Sequence, residues 1–351
     1  MPPTMADVAE RAGVSKSTVS LVLNNKPTVS LELRKAVLEA ASELGYHLPA
    51  RRAARRSIET KSIVAVHYER YRSDPMTTSI LLNYVAGIQA FVRDKDVHLT
   101  FVTEERRELH QFGYQLLDGA HLSADGAILM GWSARRDGEI LHMLIDRGLP
   151  LVVLSRDWPD LPISTVGQDH HQQADIALDY LIGLGHRQIA FLAAEADRQH
   201  EWFEWRLQSY EHKMRELHGT VDQDLVVVAK DCVEATRALA VRRKDVTAIF
   251  AITDPNAIAA IRGLRATGLD VPRDMSVVGL DGAVTGVEDC PELTTVAWPH
   301  FQAGYLAGEL VLKQIENKHL YFSKVVVRSE LVKGATCGPP ASRLPGCGLQ
   351  V

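Results

Sequence analysis

Cysteine is scarce in this chain, and its placement excludes more than its number does. Of 351 residues only four are cysteine, Cys232, Cys290, Cys337 and Cys347, and no two form a Cys-x-x-Cys pair. Such spacing supports neither a zinc-ligand set nor a disulfide framework, and free thiols fit a reducing compartment. Also lacking is any apolar run of the roughly 18–20 residues that a bilayer-spanning helix needs. Met1 to Val14 carry no long hydrophobic segment of the secretory kind. The expectation is therefore a cytoplasmic protein with no membrane partner. Missing too is a glycine-rich phosphate loop. Residues 62–75 contain no glycine, and Gly279-Leu280-Asp281-Gly282 lacks the dinucleotide fingerprint's spacing. A hydrolase would need a nucleophile beside a base, and a metal site a third ligand. The one dense His/acid cluster, Gln168-Asp169-His170-His171, opens a helix with adjacent histidines pointing apart. No enzyme chemistry, metal or cofactor is expected.

What is present is an uneven distribution of charge. The net charge is −5, yet residues 1–61 carry ten Lys/Arg against six Asp/Glu, a local +4 that leaves −9 for the rest. A basic head on an acidic body places attraction for a polyanion at one end. The length itself suits two or three domains.

The head reads as three helices. Thr4-Met5-Ala6-Asp7 is an N-cap followed by an acid three positions on, opening a helix through Ala12 that Gly13 ends. Ser15 caps a second helix over Lys16 to Leu23, with Val19, Val22 and Leu23 inward and Lys16, Ser17, Thr18 and Ser20 outward. Asn24-Asn25-Lys26-Pro27 breaks it. Ser30 caps a third helix, in which Leu33, Val37, Leu38, Ala41 and Leu44 recur at helical spacing until Gly45. Helix, glycine turn, short second helix with small polar residues outward: this is a helix-turn-helix, and residues 1–48 form a DNA-binding domain. The polar groups of the second helix can reach base edges and phosphates. Thr4, Ser15, Asn24 and Thr28 join Lys16, Ser17, Thr18 and Ser20 as candidate DNA contacts. Residues 49–61 are a hinge in which Arg51, Arg52, Arg55 and Arg56 neutralise phosphates and order on DNA.

From Ser62 the pattern changes. Apolar runs at 62–67, 98–103, 126–130 and 150–154, then 188–193, 225–229, 248–252 and 276–280, alternate with amphipathic stretches. Buried strands wrapped by helices make parallel sheets, and the number of units asks for two lobes. We assign residues 62–335 to an α/β domain, the N-lobe over about 62–160 and 290–322 and the C-lobe over about 161–289 and 323–335. Residues 336–351 are expected to be a flexible tail. Ligands of such sheets sit beyond the carboxyl ends of strands. There stand Ser155-Arg156, Thr253-Asp254 and Asp281, with tryptophans as stacking faces, so Arg156, Thr253, Asp254, Asp281 and Trp298 are candidate effector contacts.

Residues 4–49, TMADVAERAGVSKSTVSLVLNNKPTVS through ELGYHLP, closely resemble the head of the lactose-repressor, or LacI/GalR, family. LIGLGHRQIAFL (181–192), WRLQSY (205–210), VPRDMSVVGLD (271–281) and PELTTVAWP (291–299) are similar to its effector domain, in the family's order. The resemblance covers residues 4 to about 335. It implies an N-terminal all-α helix-turn-helix head on a two-lobed, type I periplasmic-binding-protein-like α/β core. It also implies a homodimer or higher oligomer on a near-palindromic double-stranded operator, with a sugar-like or nucleobase-like effector held between the lobes. By the same resemblance Lys16 and Ser17 choose bases, Thr18 and Ser20 contact the DNA backbone, Arg206 holds the effector, and Asp281 and Asp254 match effector-domain acids. Repression is the expected outcome. An activator or dual regulator of the same family, or a solute-binding protein with no DNA role, is the alternative. The chain departs from the family pattern at several positions. Leu21 stands where an arginine is common, and Arg56 where a leucine wedges into the minor groove, with Ile58 nearby. Asp74-Pro75-Met76-Thr77 replaces an Asn-Pro-aromatic segment, Thr253 an Asn, and Ser155 an acid.

Overall fold

The computed structural model describes residues 3–23, 31–44, 46, 60–69, 75–105, 124–131, 141–146, 148–154, 161–283, 292–317 and 322–340. The head's helices are α1 (Met5–Arg11), α2 (Lys16–Leu23) and α3 (Leu31–Glu43). Their apolar faces meet in a small core of Val8, Ala9, Val19, Val22, Val37, Ala40 and Ala41. Local chemistry sets the two helix starts. The Asp7 carboxylate accepts from the Thr4 N–H at 2.6 Å and from its hydroxyl at 2.9 Å. These bonds hold the Asp7 carboxyl below the usual carboxylate range. Ser15 Oγ accepts from the Thr18 N–H at 3.1 Å, capping α2. The turn between α1 and α2 runs through Gly13 at φ +65°, a left-handed conformation that costs glycine little.

The rest of the chain builds two six-stranded sheets. The first, in the order β11-β5-β4-β3-β1-β2, is formed by β1 (Lys61–Glu69), β2 (Val97–Glu105), β3 (Gly126–Met130), β4 (Leu151–Leu154), β5 (Ser164–Gly167) and β11 (Lys324–Val326). The helix α4 (Pro75–Val92) joins β1 to β2, and residues 141–146 are helical. The second sheet, in the order β12-β10-β9-β8-β6-β7, uses β6 (Ile189–Ala194), β7 (Val226–Ala229), β8 (Ala248–Ala251), β9 (Ser276–Asp281), β10 (Thr294–Ala297) and β12 (Glu330–Val332). Strand β12 runs antiparallel to β10, whereas β6, β7, β8, β9 and β10 pair in parallel.

Helices cover both faces of the second sheet: α5 (His170–Gly183), α6 (Glu201–His218), α7 (Cys232–Arg242) and α8 (Asp254–Ala266). The two-residue period of a strand sorts the core accordingly. Ala190, Leu192, Ile249, Ala251 and Val277 face Leu239, Ala260, Ile261 and Leu264 of α7 and α8. Their sequence neighbours Phe191, Ala193, Ala248, Phe250 and Val278 face Leu178, Leu181, Phe203 and Tyr210 of α5 and α6. Strands buried on both sides read as continuous apolar runs, which is why the sequence showed them. The chain divides into two compact units, one of Met1–Arg72, Ile88–Thr165 and Tyr305–Ser323, the other of Ser73–Gly87, Val166–Gly304 and Lys324–Val351. The helix α9 (His300–Glu316) passes from the second unit into the first.

Three sequence-based boundaries need correction. Residues 164–167 form a strand of the first sheet, although the C-lobe was expected from 161. Residues 294–297 form a strand of the second sheet, although they were expected in the N-lobe. Both are four-residue strands with few large apolar side chains, so neither announces its sheet. Within 324–332 two short strands form, one in each sheet. The expected flexible tail also starts too early. Thr336 is fully buried, its carbonyl accepts from the Val277 N–H at 2.8 Å, and its hydroxyl donates to the Val277 carbonyl at 2.6 Å. His186 Nε2 lies 2.9 Å from the Gly338 carbonyl and 3.0 Å from Ser276 Oγ, so the segment to Pro340 is strapped to the core.

Candidate functional site

The carboxyl ends of β6, β8 and β9 converge with the start of α6 in the second unit, and buried polar groups collect there. At their centre is Arg206, a guanidinium on α6 with almost no exposed surface. Burying such a charge requires partners on every side. Its Nη1 donates to the Ile252 carbonyl just after β8. Its Nη2 donates to Gln173 Oε1 at 2.9 Å and to Asp281 Oδ1 at 2.7 Å. His170 Nδ1 lies 3.4 Å from the same nitrogen, and Trp202 places its ring centroid 4.8 Å from the guanidinium. Arg206 Nε and Gln173 Nε2 are buried with no hydrogen-bond partner among the described residues. Asp197, following β6, accepts from Asn256 Nδ2 at 2.8 Å and from the Ala194 N–H at 2.9 Å. Burial pushes its carboxyl up, against the pull of those two hydrogen bonds.

Asp281 is held in an unusual backbone. Its φ is +104°, unfavourable for a side chain with a Cβ, and the next residue, Gly282, has φ +66°. A Cβ on Gly282 would stand 2.3 Å from Ala297 Cβ, so only glycine fits. The Asp281 carbonyl accepts from the Trp298 N–H at 3.3 Å, and His300 Nε2 lies 3.1 Å from it. Asp254, fully buried, accepts from the Ala283 N–H at 2.9 Å and from Thr295 Oγ1 at 2.6 Å. It thus pins the chain immediately after the Asp281-Gly282 bend. The bend turns the Asp281 carboxylate toward Arg206.

Of the expected effector contacts, the structure brings Arg206 and Asp281 together at this edge. Three others have inward roles. Both carboxylate oxygens of Asp254 accept hydrogen bonds, from the Ala283 N–H and the Thr295 hydroxyl, so it braces the bend. Thr253 caps α8, its hydroxyl accepting from the Asn256 N–H at 3.3 Å. Trp298 is buried, donates Nε1 to the Val327 carbonyl at 3.0 Å and packs edge-on against Tyr84 and His300. Thr253 and Asp254 were chosen for their position after a strand, where caps and braces are as much needed as ligand groups, and Trp298 as a stacking face. Arg156 lies outside the described residues. The sequence reading missed Gln173, Asp197, Asn256 and His300, and held Trp202 only among the tryptophans offered as stacking faces. His170 was noticed only as a metal or catalytic candidate. It lies beside Arg206, while His171 Nδ1 lies 3.1 Å from Ser209 Oγ, so the adjacent histidines do diverge.

In the head, the outer face of α2 carries Lys16 and Ser17, both exposed, with Ser20 half-buried beside them. Ser15, Ser17 and Thr18 share a local hydroxyl network, Ser15 Oγ lying 2.7 Å from Ser17 Oγ and 2.8 Å from Thr18 Oγ1. Thr4 spends its hydroxyl on Asp7. Asn24, Thr28, Arg51, Arg52, Arg55 and Arg56 lie outside the described residues.

Comparison with known proteins decides what this pairing of head and core belongs to. Residues 4–48 match the family model of bacterial regulatory proteins of the lacI family, and residues 178–337 match the periplasmic binding protein-like domain. The chain is similar to the HTH-type transcriptional regulator CelR of Thermobifida fusca, 31% identical over 340 residues that cover 94% of this chain and 97% of that protein. It belongs to the LacI family. It is also similar to the HTH-type transcriptional repressor CytR of Escherichia coli (strain K12), 29% identical over 345 residues, 96% of this chain and 97% of that protein. Among solved structures, it resembles a CelR–cellobiose complex with a TM-score of 0.66 and 30% identity, covering 95% of this chain and 99% of that one. Like other LacI-family members it is a DNA-binding transcription regulator whose affinity for DNA is modulated by a small-molecule effector, and not an enzyme.

Proposed function

We propose that this LacI-family regulator is a cytoplasmic repressor, binding a near-palindromic operator as a homodimer. Lys16 and Ser17 read bases, while Thr18, Ser20 and the hinge arginines Arg51, Arg52, Arg55 and Arg56 engage the phosphate backbone. Its effector is a neutral sugar that engages Arg206 and Asp281 at the carboxyl edge of the second sheet. The observation that carries this reading is the buried Arg206–Asp281 pair beside Trp202. The guanidinium is already matched by a carboxylate, and Asp197 adds a second acid, so the edge offers no surplus positive charge to an anionic ligand. Paired donor and acceptor groups beside an indole face suit the hydroxyls and apolar faces of a pyranose ring. The cellobiose complex of a regulator 30% identical to this chain supports a sugar over a nucleobase.

The test is operator binding by the full chain, measured with and without cellobiose and ribose. Release of the operator by one of these sugars, at a concentration where an unrelated operator–repressor pair is unaffected, is the expected result. Tighter binding with sugar would replace the inducer assignment by corepression, and a response confined to purines or pyrimidines would overturn the sugar assignment.

A further inference from the structure

One residue on the outer face of α2 does not fit a helix that meets DNA only through polar groups. Val19 and Val22 are buried in the head's core. At 100° per residue the opposite arc of the helix is made by Lys16, Ser20, Ser17 and Leu21, in that angular order. Leu21 is 39% exposed, a large apolar side chain on an otherwise polar arc. It lies one turn beyond Ser17, about 6 Å along the axis, so it reaches a different base pair from the one that Ser17 meets. α2 holds one cation, Lys16, and Leu21 can neither neutralise a phosphate nor donate a hydrogen bond.

We infer that Leu21 is a specificity-determining residue that reads the C5-methyl group of a thymine in the major groove. The argument is one of elimination on the groove's chemistry. Every base edge there shows hydrogen-bond donors or acceptors, and the thymine methyl is the apolar group that unmodified DNA displays. Against that methyl, leucine exchanges two exposed apolar surfaces for one contact. Against the N4 amino of cytosine or the O6 of guanine it would strip water from a polar group and return nothing. Selection by Leu21 is therefore both attraction to thymine and rejection of G·C at one position in each half-site. The inference rests on the assignment of the α2 outer face to the major groove, and goes beyond it by naming the chemical group that is read.

The experiment uses the full chain and an operator isolated by selection from random duplex DNA. Each thymine is replaced singly by deoxyuridine, which removes the methyl and leaves base pairing intact, and affinity is read by fluorescence anisotropy. At one symmetric thymine per half-site the loss should be about fourfold, the size of one buried methyl. Leu21→Ala, which removes the contact in both half-sites at once, should bind the thymine operator with about the square of that loss, about sixteenfold, and no longer distinguish thymine from deoxyuridine. Alanine is the best helix former, so the exposed substitution keeps α2 folded. Leu21→Met should restore most of the discrimination. If no deoxyuridine affects the wild-type chain, or if Leu21→Ala keeps the full deoxyuridine penalty, the inference fails. The underlying assignment has its own control: Lys16→Ala with Ser17→Ala must change the ranking of operator sequences. An unchanged ranking refutes the face as a whole, whereas a changed ranking with no methyl effect refutes Leu21 alone.

Discussion

Arg206 and Asp254 are both buried charges, yet they answer to different needs. Arg206 has Nε left over, lies beside Trp202, and shares Asp281, whose carboxylate retains some exposure. Arg206→Ala should abolish the effector response and leave operator affinity within about twofold. Loss of hydrogen bonds to a charged group costs roughly 1.5–3 kcal/mol, a shift of ten- to a hundredfold in effector affinity. Sugar titration followed by tryptophan fluorescence measures it, and an unshifted midpoint would remove Arg206 from the site. Asp254 is fully buried and holds Ala283 and Thr295. Asp254→Ala leaves a backbone N–H and a hydroxyl unsatisfied in the interior at about 1–3 kcal/mol each, so the expected outcome is a lower Tm together with weaker effector binding. Asp254→Asn keeps one acceptor and should fall between. An Asp254→Ala variant with normal Tm and weakened effector binding would instead make it a direct ligand.

Short elements in this chain are stabilised by single polar contacts. The recognition helix α2 has eight residues, too short to persist on propensity alone, and begins at the Ser15 cap. Ser15→Ala should cost the head about 1 kcal/mol, read as weaker operator binding with unchanged effector affinity. If the effector affinity drops equally, the effect is global and the cap is not its cause. The strap over residues 333–340 makes a second case. Thr336 bridges β9 and β10, its hydroxyl also accepting from the Thr294 N–H at 2.9 Å, and Gly338 lies in reach of both His186 and Ser276. A chain ending at Lys333 should melt well below one ending at Pro340.

At the scale of the whole molecule, charge separates the two activities. With +4 on residues 1–61 and −9 elsewhere, operator affinity should fall about a hundredfold or more between about 50 and about 200 mM salt, while effector affinity hardly moves. Equal salt slopes for both would contradict the division. Stability should also depend on pH through two buried histidines. Burial holds His186 and His300 below the ordinary imidazole value. The unfolded chain, with imidazoles near about 6.5, then binds more protons than the folded one as pH falls below that value. Their contribution is fully present above the unfolded value and lost as pH drops toward the folded values. Urea midpoints should therefore decline from pH about 7.5 to about 5.5, and His186→Gln should flatten the decline. Asp197 works in the opposite sense, because its carboxyl is raised in the fold.

Local chemistry made the architecture legible. The caps at Thr4 and Ser15, the Gly13 turn and the strands buried on both faces are written in neighbouring residues, so the head and most of both sheets could be read directly. Arg206 was found through the resemblance of WRLQSY to a family and Asp281 from its place at a strand end, because no spacing in one chain marks them as a pair 75 residues apart. Tertiary structure alone decided the remainder. The strand order β10-β9-β8-β6 brings Asp197, Ile252 and Asp281 to one edge, and the helices there add Gln173 and Arg206. The left-handed backbone at Asp281 exists because Asp254, Ala283 and the β10 exit hold it from different parts of the sequence. Residues that end a strand look alike in a sequence, whether they cap, brace or bind, and only the identity of the atom opposite each one separates those roles.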